Sequence, residues 1–220
     1  MKAWLRDNGL FLVNAALFVI FLAGMSVAGW QTSNQELVEH GATAETFGAF
    51  LVSGDFFEAV FENWESEFLQ MGSYVVLTIF LFQKGSSESK PIGEKSPQDE
   101  DPRKHAGDPK APWPVRRGGA WLVLYENSLL ILFGVLFLAS FAGHALGGAA
   151  AYNEEQQLHG GETLTAFEYL GTSQFWFESF QNWQSEFMVV AVLALAAVYL
   201  RQRGSPESKP VAAPHAETGT

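Results

Sequence analysis

Asn63-Trp64-Glu65-Ser66-Glu67-Phe68 returns further along the chain as Asn182-Trp183-Gln184-Ser185-Glu186-Phe187. From Asn63 to Asn182 is 119 residues, and that offset holds without a gap from Asn8/Asn127 to Pro91/Pro210. Each copy stands at the mouth of an apolar run that ends in Gln-Lys-Gly or Gln-Arg-Gly. The chain therefore reads as one two-helix unit written twice.

The 220 residues include no cysteine, which removes disulfides, thiolate metal sites and cysteine chemistry. The net charge of −11 matters less than its placement. All thirteen Lys and Arg lie within Lys2–Arg6, Lys84–Arg117 and Arg201–Lys209. The stretches Gln31–Glu67 and Ala150–Glu186 hold fourteen acids and no Lys or Arg. Basic residues mark the cytoplasmic side of a membrane protein. Both termini and the linker are thus expected in the cytoplasm, with the acidic loops outside, as in a multi-pass protein of the bacterial inner membrane. The lipid bilayer is the first partner this pattern implies.

Leu10–Trp30 is long enough to span, since about 20 residues at ~1.5 Å rise cover a hydrocarbon core of roughly 30 Å. Lys2 and Arg6 ahead of it, and Ser26-Val27-Ala28 within it, resemble a signal peptide. The mid-chain match Leu129–Ala149 favours a membrane helix in both copies. Asp7-Asn8 and Glu126-Asn127 are placed to cap the helices that follow. Gln31–Ser53 is expected to be an outer loop with a short amphipathic helix over Ala44–Val52, and Thr165 with Glu168 has capping-box spacing in the second copy. Asp55–Phe82 reads as one helix whose first turns stand in the outer interface, with Phe56, Phe57, Phe61 and Trp64 as an aromatic belt. Trp121–Ala149 and Phe187–Leu200 supply the third and fourth helices, and Gly24, Gly29, Gly143, Gly147 and Gly148 would permit close packing.

The expected fold is all-α: four transmembrane helices as two parallel two-helix repeats with pseudo-twofold symmetry, each with a short amphipathic outer-loop helix. Residues 1–83 form the first repeat and 119–203 the second. Residues 84–118 and 204–220, polar and rich in Pro, Gly and Ser, read as a disordered cytoplasmic linker and tail.

At 100° per residue, Glu58, Glu62 and Glu65 share a narrow sector that reads as a solvated face. Glu67 lines up instead with Asn63, Gln70, Tyr74 and Thr78, a polar stripe running down the helix. From Phe68 to Phe82 is only ~21 Å of helix, so spanning draws Glu67 to the edge of the core or just inside it. Ionisable groups at that depth seek a partner or a polar cavity. Asn63, Glu67, Asn182 and Glu186 thus form the main candidate site, read either as a proton or cation site or as a polar lock between helices. His144 lies toward the outer end of the third helix; its counterpart is Met25. Glu36/His40 and Glu155/His159 each have four-residue spacing, geometry that on a helix can hold zinc or another divalent cation. That divalent metal is the one cofactor these residues suggest. No phosphate-cradling loop, zincin motif or nucleophile elbow is present, so neither nucleotide, nucleic acid nor an enzymatic reaction is expected.

The run Asp55-Phe56-Phe57-Glu58-Ala59-Val60-Phe61-Glu62-Asn63-Trp64-Glu65-Ser66-Glu67-Phe68-Leu69-Gln70-Met71 resembles the signature of an uncharacterised bacterial membrane-protein family, a domain of unknown function. The loop Asn153-Glu154…His159-Gly160 and the Gln-Arg/Lys-Gly-Ser endings carry the same resemblance, which covers both halves and spares linker and tail. The first copy departs from it with Asn34-Gln35 where Asn153-Glu154 stands. The resemblance implies a membrane location and no activity. Two classes follow: a structural or accessory protein that meets copies of itself or envelope partners, and a small proton or cation transporter built on Glu67 and Glu186.

Overall fold

The structure, a computed structural model, describes residues 2–219. Among the described residues helix is the only regular structure: α1 (Lys2–Asp7), α2 (Gly9–Glu39), α3 (Phe47–Phe50), α4 (Gly54–Phe80), α5 (Trp113–Arg117), α6 (Gly119–Glu126), α7 (Ser128–His159), α8 (Ala166–Tyr169) and α9 (Ser173–Tyr199). Three of these, α2, α7 and α9, are long and apolar enough to cross a membrane. The fourth long helix, α4, has the same 27 residues as α9 but carries Asp55, Glu58, Glu62, Glu65 and Glu67, which lowers its hydropathy.

Helix α2 runs nine residues past the expected boundary at Trp30, to Glu39. Nothing between Gln31 and Glu39 is Gly or Pro, so nothing breaks the ladder. It stops where Gly41 takes φ +75°, with Gly41 N–H donating to Val38 O and Ala42 N–H to Leu37 O, the paired bonds of a Schellman ending. Helix α7 ends likewise at Gly160, φ +70°, with Gly161 N–H on Gln156 O at 2.8 Å. The outer-loop helices are shorter than Ala44–Val52: one turn each, α3 begun by Thr46 accepting from Ala49 N–H and α8 by the Thr165/Glu168 capping box. Asn8 and Asn127 do not cap forward. Their amides donate backward, to Trp4 O and Val123 O at 2.8 Å each, and the third helix is divided there into α6 and α7.

The chain forms two compact units, residues 1–61 with 142–175 and residues 62–141 with 176–220. In the first unit, the Asn34 side chain pins Glu45 through both backbone groups, and Asn153 pins Leu164 in the same way. Trp30 adds an indole N–H to Glu45 O at 2.9 Å. These clasps fold each loop back over its helix end, and Phe50 (4 % exposed) and Tyr169 (1 %) are buried beneath. Helices α7 and α4 approach backbone to backbone here. A Cβ on Gly147 would lie 2.5 Å from Glu58 N, and one on Gly143 would strike the Phe61 ring. Gly24, by contrast, faces open space.

In the second unit, α4 and α9 meet at Glu62–Asn182, Glu65–Trp183 and Gln70–Glu186. These contacts advance along both helices in the same order, so the helices run parallel. Arg201 closes the end of α9 by donating to Ala197 O, Val198 O and Leu200 O. The duplicated Ser-x-x-Ser segments make matching turns, with Gln83 N–H on Ser89 Oγ and Gln202 N–H on Ser208 Oγ. The Lys209 ammonium is buried among Pro214 O, His215 O and Glu217 O.

Replacing Gly147 with alanine should destabilise the protein by about 1–3 kcal/mol, because the backbone of α4 occupies the space a methyl needs. Gly24→Ala should be neutral or slightly stabilising. Thermal unfolding of both variants in detergent checks the contrast.

Candidate functional site

The sector of α4 that looked like a solvated face points inward. Glu65 is 0 % exposed and accepts from the Trp183 indole N–H at 3.0 Å. Glu62 accepts from the Asn182 amide. Glu58 accepts from the Tyr169 hydroxyl at 3.2 Å. Glu67 lies on the exposed side of α4. The helical period thus turns Glu58, Glu62 and Glu65 inward, while the stripe that starts at exposed Glu67 is buried lower down at Gln70. Leu10, Phe11, Val135, Leu138, Val192 and Leu195 show why: the outer faces of the long helices are apolar and exposed, so the polar sector is the one left for the interior.

His144 is 0 % exposed, and its ring stacks on Phe175 with centroids 4.5 Å apart. It shares the first unit with Glu58, and each turns one potential ligand atom to within 4.8 Å of the other. Gly148 makes the room, since a Cβ there would lie 2.9 Å from Glu58 Oε1 and 2.5 Å from the Tyr169 ring. An imidazole, a carboxylate and a phenol that orients the carboxylate can hold a proton between them or ligate a metal.

The other sequence candidates fall into two places. Glu67 and Glu186 lie within electrostatic reach of each other, and the Glu186 carbonyl accepts from Gln70 Nε2 at 3.1 Å. Asn182 is engaged by Glu62 rather than by a carboxylate of the expected pair. Glu36, Glu155 and His159 are helical and His40 is the C-cap of α2, and the two imidazoles meet edge to face at 5.5 Å. Each His Nδ1 sits 2.9 Å from the carbonyl four residues back. Among the described residues these four do not converge as a cluster of ligand atoms; Glu36 and Glu155 remain exposed beside them.

A family model described as a domain of unknown function, DUF6766, matches residues 1–220. The chain belongs to that family. No curated protein and no solved structure matches it.

Sequence reading of this DUF6766 chain missed Glu58, Glu65, Tyr169 and Trp183. For Glu58 and Tyr169 a signal was present: each lacks a polar counterpart in the other copy, where Phe177 and Phe50 stand. The outer surface of the first unit gathers further acids. Burial, then repulsion from Glu36, Glu45 and Glu155, pushes the Asp55 carboxyl above its ordinary value of 3.8. Ser33 and the Asn34 clasp hold Glu45 in place nearby.

The folded protein keeps the Asp55 proton to higher pH than the unfolded chain does. Stability therefore falls as pH rises from 3.8 through the raised value, then levels off. Hydrogen exchange over residues 41–55, corrected for intrinsic rates, should show protection that weakens across this window. Asp55→Asn should remove most of that slope.

Proposed function

We propose that this DUF6766 protein is a four-span accessory protein of the bacterial inner membrane, built as two parallel helix pairs with both termini in the cytoplasm. The observation that carries the reading is the seam between α4 and α9, where interior acids of one helix meet donors of the other: Glu62 with Asn182 and Glu65 with Trp183. A helix of equal length running parallel to the span-competent α9, and joined to it in register, belongs beside it in the bilayer despite its acids. Four spans also return the chain to its starting side, which places all three basic segments together. At the 119-residue offset α4/α9 and α3/α8 share their bounds and α2/α7 differ by one residue at the end, which supports a pseudo-twofold relation along the membrane normal.

Satisfied carboxylates hold helices together rather than open a path between them. The outer loops expose Phe167 (83 %) and Val52 (72 %) beside their acids, a surface suited to further copies of the chain or to envelope proteins. The mutual field of Glu67 and Glu186 favours a second reading, a proton or cation conductor.

One experiment separates the two. Trp183→Phe removes a charge-assisted hydrogen bond worth about 1.5–3 kcal/mol and should lower the melting temperature by several degrees. Wild-type liposomes should carry no proton or cation flux. Flux in the wild type, lost in folded Glu67→Gln/Glu186→Gln, establishes the conductor instead.

A further inference from the structure

We propose that the cavity between α2, α3 and the start of α4 binds one small organic cation, a primary ammonium group carried on an apolar body. The cavity has a volume of about 320 Å³, near the lower end of small-molecule sites, which run roughly 300–1,000 Å³. All of its lining falls within residues 25–59, inside one compact unit. Met25, Phe50 and Phe56 make its apolar wall, the two rings edge to face with centroids 5.6 Å apart. Gly29 lets the Phe50 ring lie against α2, since a Cβ there would stand 2.7 Å from Phe50 Cζ. The polar wall is built on the carboxylates of Glu36 and Asp55 beside the Ser33 hydroxyl. Glu36 is exposed at the opening, whereas Ser33 and Phe50 are buried.

The unit supplies these acids with no cation of its own. Its only Lys and Arg, Lys2 and Arg6, precede α2, and ~40 Å of helix separates Gly9 from Glu36. His40, one turn beyond Glu36, directs Nδ1 to the Glu36 carbonyl. Burial, then the charges of Glu36, Glu45 and Glu155, holds the Asp55 carboxyl above its ordinary value, and a cation in the cavity opposes that repulsion. The two walls also define the ligand's shape. A hard divalent ion such as calcium takes about 6–8 oxygens, and Met25, Phe50 and Phe56 offer none. Phenyl faces attract an ammonium by cation–π contact, and a thioether adapts to an apolar body. The ammonium would donate to Glu36, Asp55 and Ser33 Oγ. That hydroxyl gives its own hydrogen to Glu45 Oε1 at 3.0 Å, which leaves its lone pairs to accept.

The residues at the 119-residue offset, which lie in the same unit, are an internal control. There Ser33 corresponds to Tyr152, Met25 to His144, Phe50 to Tyr169 and Asp55 to Gln174. The rings close on one another, Tyr152 on Tyr169 at 5.9 Å and His144 on Phe175 at 4.5 Å between centroids. The position that forms a cavity in one stretch is thus packed with rings in the other, and one of its two acids is an amide. Helix packing alone therefore does not call for Asp55 or for the small Ser33. One ligand per chain is expected, not two.

The test uses the full-length protein in a non-ionic detergent, titrated calorimetrically with 2-phenylethylammonium chloride, with the heat of protein-free micelles subtracted. One equivalent should bind per chain. 2-Phenylethanol, the same body without the charge, and methylammonium, the charge without the body, should each bind at least about tenfold more weakly. Asp55→Asn and Glu36→Gln should each weaken binding of the ammonium by about tenfold or more while melting cooperatively. Glu162→Gln removes an exposed acid of the same unit that does not line the cavity, and should bind as the wild type does. Ser33→Tyr, which installs the residue found at the offset, should abolish binding; if it does not fold, the two isosteric carboxylate variants decide. Phosphatidylethanolamine carries a phosphate that the acids repel, so adding it to the micelles should not compete. The proposal is overturned by a wild type without saturable binding, by equal binding of the alcohol or of methylammonium, or by wild-type affinity in Asp55→Asn and Glu36→Gln. Competition by the phospholipid would assign the cavity to a lipid headgroup and overturn it as well.

Discussion

A long helix that is apolar on its outer faces can carry acids only if they turn toward other helices. That constraint orders most of what is seen here. Glu65 is buried against the Trp183 indole, half-buried Glu62 accepts from the Asn182 amide and half-buried Glu58 from the Tyr169 hydroxyl, while Leu10, Phe11 and Leu138 stand exposed. In water the same helix would place these acids outside. With an apolar exterior, an unpaired interior carboxylate costs several kcal/mol or more, so each acid fixes the rotation of its helix about its own axis. The glycines then set the distance: Gly147 and Gly143 let α7 come down onto α4 where any side chain would hold it off.

Much of this was legible in the residues. The duplication predicts elements at matched positions, and α4 and α9 have matching bounds, as do α3 and α8. Gly29, Gly143, Gly147 and Gly148 sit at close approaches, whereas Gly24 does not. What periodicity could not supply was the sign of the polar face, because the same 100° spacing serves a helix that shows its acids to water and one that hides them. Glu58, Glu62 and Glu65 were assigned to the wrong side for that reason. The extension of α2 to Glu39 was hidden differently: Gln31–Glu39 is polar enough to pass for a loop, and only the absence of Gly or Pro marked it as helix. The meeting of His40 with His159, 119 residues away, depends on how two helix ends converge and is invisible to local spacing.

The two stretches related by the 119-residue offset are not alike throughout. Asn34 and Asn153 make the same loop clasp, and the Ser89 and Ser208 hydroxyls the same turn, so features that close the backbone are held in common. Interior chemistry differs. Glu62 and Glu65 correspond in sequence to Gln181 and Gln184 at the offset, and His144 to Met25. Backbone closures repeat because each loop needs its own; an ionisable group in the interior needs a partner, and one copy of a partnered group suffices.

The placement of α4 across the membrane is the central claim, and sided labelling tests it most directly. Single cysteines at Thr43, Glu94 and Thr163 are all at exposed positions, in the loop after α2, the linker and the loop after α7. With an impermeant maleimide on intact cells, Thr43→Cys and Thr163→Cys should label at once and Glu94→Cys only after permeabilisation. Labelling of Glu94→Cys from the same side as Thr43→Cys would mean that α4 does not cross, and the parallel four-span arrangement would be wrong.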